Sequence, residues 1–407
     1  MKMLKELREV TFRCAPNFSI EYQTSLWLLA LQYTTEHFRS EISLSSPEFF
    51  HSLMANDLSK LADQSSAIYR LIRGMHGTYL IDTGVRLGFF EKILDSGESG
   101  VTSFSLSSSC GTNPRYTEIW CQMASSLELL SASDNTNSVR SASTRYTFAP
   151  CMDELLGRKD GAFYIGGAAH SHIQISRDYN RISNLFKTGK TFPFQQHNKK
   201  FLLSVAKSGR NIPRRLFSIV FPKMPELKER LESKGGRILD IGCGAGYAVM
   251  EMAKIFPKCT CSGIDIEPNS IKLAKKLILK NKLQARVKVT ACKDQNYGPA
   301  ESCDLITMIL VLHEISPNLK QAVLNSAARA LVPGGTLLIY DEAYPQTFSD
   351  LTKEPKYFAV MAQWFESLWG NVINTKIEIR ELIAKSGLTI LDETDFSRFY
   401  IVSAAKK

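Results

Sequence analysis

The sequence predicts an α/β protein: an open, mostly parallel sheet in the carboxyl-terminal part, preceded by an α-rich winged-helix domain. Three observations carry this. From about residue 226 onward, short apolar runs alternate with amphipathic helical runs, the pattern of β–α units feeding a parallel sheet. One of these junctions, "RILDIGCGAGYAVM" at 237–250, sets three glycines between a strand and a helix. Upstream, residues 67–155 read as helix, turn, helix and a polar two-stranded hairpin, a winged-helix pattern.

The bulk properties bound the partners. A chain of 407 residues is long enough for two or three domains. The formal net charge of +10 fits an anionic ligand or partner without identifying one. Many basic residues lie between 187 and 230, among them Lys199, Lys200, Arg210, Arg214 and Arg215. They read as a solvated helical face or as a nucleic-acid footprint. The nine cysteines contain no C-x-x-C, and a bridge between Cys259 and Cys261 would be strained within one strand. All are expected as reduced thiols in a cytoplasmic setting. His170 and His172 have no further ligand at metal spacing, so no metal is expected. No apolar run is long enough to span a bilayer.

Residues 1–66 form an amino-terminal extension of unclear role. In "SAIYRLIRGM", Ile68, Leu71, Ile72 and Met75 fall at helical spacing. Val85, Leu87, Phe89, Phe90 and Ile93 make a second amphipathic run. A short helix then closes at Gly111, and Asn113 caps another whose first residue is Pro114. That helix is expected to turn Tyr116, Ile119, Trp120 and Met123 inward. As a DNA-reading helix it would offer Arg115 and Thr117, but also Glu118. Packing and dimerisation are the alternative to DNA binding. Residues 156–225 read as helices and linkers, and 226–407 as the sheet-bearing domain.

In that last zone Ile238, Leu239 and Ile241 form a buried strand, and the helix opens at Tyr247. Gly242, Gly244 and Gly246 let a ligand approach the main chain, with the helix amino terminus facing it. A dinucleotide fingerprint is G-x-G-x-x-G, whereas this loop is G-x-G-x-G preceded by Asp240. A carboxylate there suits an ammonium group better than a pyrophosphate. The second strand, "TCSGIDIE", ends at Asp265, placed to bond two ribose hydroxyls. The third runs toward Asp294, the fourth is "CDLITMILVLHE", and the fifth "TLLIYDEAYP" follows a helix stopped at Pro333. "LTILDETDF" and "RFYIVSAAKK" close the domain as a hairpin.

With D-x-G-x-G-x-G, the two strand-end acids and "LVPGG" in this order, residues from about 235 to 345 resemble class I S-adenosyl-L-methionine-dependent methyltransferases. The preceding winged helix is similar to that of plant small-molecule O-methyltransferases and of a bacterial winged-helix methyltransferase group. The resemblance implies a seven-stranded Rossmann-like sheet with an antiparallel last strand. It implies S-adenosyl-L-methionine as cofactor, contacted by Asp240, Gly242, Cys243, Gly244, Gly246, Asp265, Ile266, Asp294, Gln295 and Leu310. It also implies a small-molecule acceptor methylated at oxygen, a homodimer through the winged helix, and neither nucleic acid nor membrane as partner. A protein or RNA acceptor, or a cofactor-sensing DNA-binding regulator, is the alternative.

The resemblance also singles out His313 and Asp341 as catalytic. In the plant enzymes the fourth strand runs into L-H-D-W-S, and its histidine is the base, oriented by two acids. Here "LHEIS" carries His313, and Asp341 takes the place of one acid. The other would fall near Ile373, where no acid stands. His313 can therefore be a general base, a pocket-lining residue or a strand cap. Phe192, Phe194, Tyr344, Phe358, Trp364 and Trp369 could shape a flat apolar pocket or serve as core.

Overall fold

A computed structural model describes residues 47–134, 138, 141–292 and 297–407, which fall into two compact units divided between His76 and Gly77. The first helix among the described residues, α1 (Pro47–Leu87), runs through that division. On it Ile68, Leu71, Ile72 and Met75 are exposed, so their helical spacing marks an outward stripe.

In the second unit α2 (Phe89–Ser96) buries Phe89, Phe90 and Ile93. Helix α3 (Ser103–Cys110) ends at Gly111, whose φ of +63° is the left-handed cap that glycine adopts without strain. The Asn113 side chain accepts from the amides of Arg115 and Tyr116 and so starts α4 (Pro114–Ser126). Strands β1 (Val101–Thr102), β2 (Leu130–Ser133) and β3 (Arg145–Phe148) pair antiparallel in the order β1-β3-β2. The inward face of α4 differs from the expected one. Thr117, Trp120, Cys121 and Ala124 are buried, Met123 is half-buried, and Tyr116 and Ile119 are exposed. Trp120 sets this rotation. Its ring lies edge-on to Phe89 and Phe90, and its Nε1–H donates to the Leu80 carbonyl at 2.9 Å.

The connecting stretch holds α5 (Gly166–Ile175), α6 (Ile182–Thr188), α7 (Lys199–Ser208) and α8 (Ile212–Val220). Three of its arginines are engaged within the chain. Arg215 is buried and donates to the Ala162 carbonyl, Arg210 pairs with Asp160, and Arg214 pairs with Glu251.

The sheet comprises β4 (Arg237–Ile241), β5 (Thr260–Asp265), β6 (Val287–Ala291), β7 (Cys303–Ile309), β8 (Leu331–Glu342), β9 (Leu388–Phe396) and β10 (Phe399–Lys406). Its seven strands run in the order β6-β5-β4-β7-β8-β10-β9. All pairs from β6 through β8 are parallel, while β10 is antiparallel to both neighbours. Five helices follow these strands: α9 (Tyr247–Ile255), α10 (Pro268–Lys280), α11 (Lys320–Ala330), α12 (Tyr357–Trp369) and α13 (Lys376–Lys385). One buried cluster centres on Met252, Phe256 and Leu305, another on Ile306, Leu324 and Ile379. Chain order reverses between β4 and β7, so a crevice opens beyond the carboxyl ends of those two strands.

The fourth strand of this sheet is shorter than its apolar run. It ends at Ile309, and Leu310 turns the chain with φ +54° while its amide donates to the Tyr340 carbonyl at 2.8 Å. His313 therefore sits in a turn beyond the strand and not at its tip.

Candidate active site

The glycine loop lies at the mouth of that crevice. Gly242 and Gly246 have φ of +72° and +82°. A Cβ on Gly242 would fall 1.9 Å from a Val311 methyl, and one on Gly246 would fall 2.8 Å from the Ala274 Cβ. Both positions require glycine for conformation and for space. At Gly244, by contrast, an added Cβ meets nothing within 4 Å. That stretch of main chain is open to the cavity.

The acids are arranged around this loop. Asp265 accepts from the Gly244 amide on one oxygen and from the Glu267 amide on the other, each at 2.8 Å. Burial raises its pKa and these two bonds oppose the rise. Asp240 is buried and accepts from the Thr307 hydroxyl at 2.7 Å. Burial pushes its carboxyl up to about 7; the Thr307 bond opposes that, and nearby Asp265 adds to it. Such a carboxylate is stabilised by any cation that enters. The Cys243 thiol is buried and pushed well up, mainly by that burial, so it is no nucleophile.

His313 is held from two sides. Its amide donates to Asp341 Oδ2 at 3.3 Å, and its Nδ1 lies 2.5 Å from Asp341 Oδ1. Asp341 also accepts from the Glu342 amide and is buried behind the ring. The opposite nitrogen, Nε2, lies 3.7 Å from Glu366 Oε1. Glu366 comes from α12 and is fixed by Asn371, whose amide group donates to its Oε2 at 2.7 Å. Burial by itself would lower the His313 pKa, but the Asp341 and Glu366 carboxylates outweigh it and hold the imidazolium well above the ordinary value. Segment 372–374 is drawn onto this turn. Val372 donates to the His313 carbonyl, and buried Lys320 donates to the Val372 carbonyl and to Asn374.

One cavity of about 460 Å³ joins these parts. Its lining includes Asp240, the 242–245 loop, Asp265, Ile266, Leu310, His313, Glu314, Glu342 and Glu366. Phe194, Tyr297, Phe365 and Trp369 supply aromatic walls. Of the other aromatic candidates, Phe192 and Tyr344 pack beside the cluster around Trp369, Trp364 is exposed against Phe186, and Phe358 lies under Arg398. Gly246 is packed against α10, and Ile266 is at the exposed rim. Asp294 and Gln295 lie outside the described residues.

Four cavity acids were not among the expected site residues: Glu267, Glu342, Glu366 and Glu314, the last read only as standing where the plant enzymes have an aspartate. A signal for Glu366 existed. It is the single charged residue in the apolar helix "YFAVMAQWFESLW". His170 and His172 do not come together as ligands. His170 bonds Asp82, whereas His172 bonds the Ala168 carbonyl and lines the cavity. Among the described residues no helix is long and apolar enough to cross a membrane.

Comparison with known proteins agrees with this geometry. Residues 232–387 match the family model of a methyltransferase domain. The chain is similar to a ubiquinone biosynthesis O-methyltransferase of Xanthomonas axonopodis pv. citri, 29% identical over 138 residues, which are 34% of this chain and 52% of that protein. A namesake from Xanthomonas campestris pv. campestris is 30% identical over 131 residues, covering 32% of this chain and 49% of its own. The chain thus spans about half the length of the curated relatives it matches. Solved structures match over more of it. An O-methyltransferase family protein from Burkholderia thailandensis aligns with a TM-score of 0.58 at 18% identity, over 86% of this chain and 97% of that one. Human N-acetylserotonin methyltransferase in complex with SAM aligns with a TM-score of 0.59 at 15% identity, over 83% and 97%. At these identities the likeness is one of fold: a seven-stranded class I methyltransferase sheet preceded by a helical amino-terminal part.

Proposed function

We propose that this chain is an S-adenosyl-L-methionine-dependent methyltransferase that methylates a small-molecule acceptor at oxygen. The carrying observation is His313, held between Asp341 and Glu366 in the same cavity as the glycine loop. When bound, the cofactor supplies a methyl group activated on a sulfonium centre.

The residues present fit that cofactor. Asp240 offers a buried carboxyl that an ammonium group would stabilise. Asp265 is already oriented by two backbone amides to receive the ribose hydroxyls. Gly242, Cys243 and Gly244 leave room for the methionine and ribose part, with Gly246 shaping the loop, while Ile266 and Leu310 flank it. Asp294 and Gln295 are assigned to the adenine on the family resemblance alone.

His313 acts as the base in this reading. Facing a carboxylate, Nδ1 carries the hydrogen, and Nε2, turned toward Glu366 and the cavity, is the nitrogen that becomes the base once its own proton is lost, a loss the two carboxylates shift to higher pH. It takes the proton of a hydroxyl as the oxygen accepts the methyl group. Glu366 and Asp341 stabilise the imidazolium that forms. Such a base contributes about 10² to 10⁴ in rate. The rest is alignment, supplied by the aromatic walls.

The homodimer belongs to this proposal too. On α3 and α4, Phe104, Tyr116 and Ile119 are exposed, while Arg115 pairs with Glu118 and Thr117 is buried. That face offers apolar contact and little for reading bases. The experiment is a methyl-transfer screen with labelled cofactor over phenols, carboxylates and amines. Transfer to a phenol that His313→Ala abolishes supports the reading; transfer only to nitrogen, or none, overturns it.

A further inference from the structure

Glu342 is a buried carboxylate that the proposed chemistry leaves without a task. It ends β8, next to Asp341, and lines the cavity at 6% exposure. Its Oε1 lies 3.6 Å from Arg398 Nε, beyond hydrogen-bond reach, and its Oε2 has no hydrogen-bond partner among the described residues. A buried carboxylate left in this state is costly and calls for a donor.

The surroundings say what kind of donor. Glu314, Glu342 and Glu366 all line the cavity, against the Arg398 guanidinium and the His313 ring. Arg398 is itself engaged over the Phe399 ring at 4.7 Å and the Phe358 ring at 5.7 Å. Burial pushes the Glu342 carboxyl up to about 7; Arg398 and His313 only partly offset this, and Asp341 and Glu366 add to it. The acceptor end is therefore acidic, while Phe365 and Trp369 give it flat apolar walls.

We propose that Glu342 selects the acceptor by receiving its protonated amine, so that the substrate class is an aromatic alcohol that also carries a basic nitrogen. This rests on the methyltransferase reading of the same cavity. The flat ring lies against the aromatic walls, the hydroxyl reaches His313, and the ammonium group reaches Glu342 Oε2. An acceptor with a carboxylate in place of the amine would set acceptor oxygens against the partnerless Glu342 Oε2 and offer it no donor.

The test is calorimetry on the full chain saturated with S-adenosyl-L-homocysteine. Three matched phenols are titrated: tyramine, 4-ethylphenol and 3-(4-hydroxyphenyl)propanoate. Tyramine is expected to bind about tenfold or more tighter than 4-ethylphenol, the scale of one charge-assisted hydrogen bond, and the propanoate weakest. Glu342→Gln is expected to erase the tyramine margin while leaving 4-ethylphenol within about twofold. Arg398→Ala, which removes the competing cation, is expected to widen it. Equal binding of tyramine and 4-ethylphenol, a preference for the propanoate, or no binding by any of the three overturns the inference. So does a margin that survives Glu342→Gln or shrinks in Arg398→Ala. Failure of S-adenosyl-L-homocysteine itself to bind would sink the methyltransferase reading; its normal binding without an ammonium preference sinks only the role of Glu342.

Discussion

Glu366 Oε1 lies 3.7 Å from Nε2 of His313, on the opposite side of the ring from Asp341. This makes the histidine a residue flanked by two carboxylates, with α12 supplying the second. His313→Ala is expected to leave cofactor affinity intact and to lower turnover by about 10² to 10⁴. Glu366→Gln has a more telling readout. The Glu366 carboxylate raises the His313 pKa, so its loss lets the ring become neutral at lower pH. The ascending limb of kcat/KM against pH should move toward acid. A limb that stays in place would leave Glu366 with a structural role only.

Cofactor affinity should itself depend on pH through Asp240. Its pKa is raised in the fold from 3.8 to about 7. Across that window the unliganded fold binds more protons than the unfolded chain, so its stability falls as pH rises. An ammonium ligand pairs only with the ionised carboxylate, so its affinity rises with pH until about 7. Below that, binding should weaken by about tenfold per pH unit. Asp265, also raised, acts in the same direction. Asp240→Asn should bind more weakly and flatten the profile, which calorimetry between pH 5 and 8 reads directly.

The two kinds of glycine in the loop should separate stability from binding. Gly242→Ala sets a Cβ 1.9 Å from Val311 at a left-handed φ, and is expected to cost about 2 to 4 kcal/mol of stability. Gly244→Ala meets no neighbour, so it should cost only about 1 kcal/mol while weakening cofactor binding. Thermal melts with and without S-adenosyl-L-homocysteine distinguish the two.

The exposed apolar face on α3 and α4 should be covered by a second copy. Charged substitutions at the exposed Phe104 and Ile119 are expected to shift the chain to monomer in sedimentation velocity without lowering its melting temperature. A wild-type monomer at micromolar concentration would contradict this.

The sequence was most legible where local chemistry decides structure. Strand β4, the left-handed glycines, the Asn113 cap and the order of strands and helices follow from spacing and caps. It was least legible where tertiary contact decides. The α4 face is set by Trp120 bonding a carbonyl forty residues away. The fourth strand stops at Ile309 because Leu310 must turn toward Tyr340, although the apolar run continues. The second carboxylate beside His313 was sought near Ile373, a buried apolar position, yet it enters from a mostly apolar helix whose single charged residue is Glu366. Glu342 went unread because a strand-end acid next to Asp341 looks like a solvated tip, whereas its strand end is buried.

The central claim is that the cavity beside the glycine loop binds S-adenosyl-L-methionine. Calorimetric titration of the purified full chain with S-adenosyl-L-homocysteine tests it most directly, alongside Asp265→Ala. The expected result is one site per chain, weakened about tenfold or more by the substitution, which removes hydrogen bonds to a charged acceptor. No binding by the wild type, or equal binding by Asp265→Ala, would contradict the account.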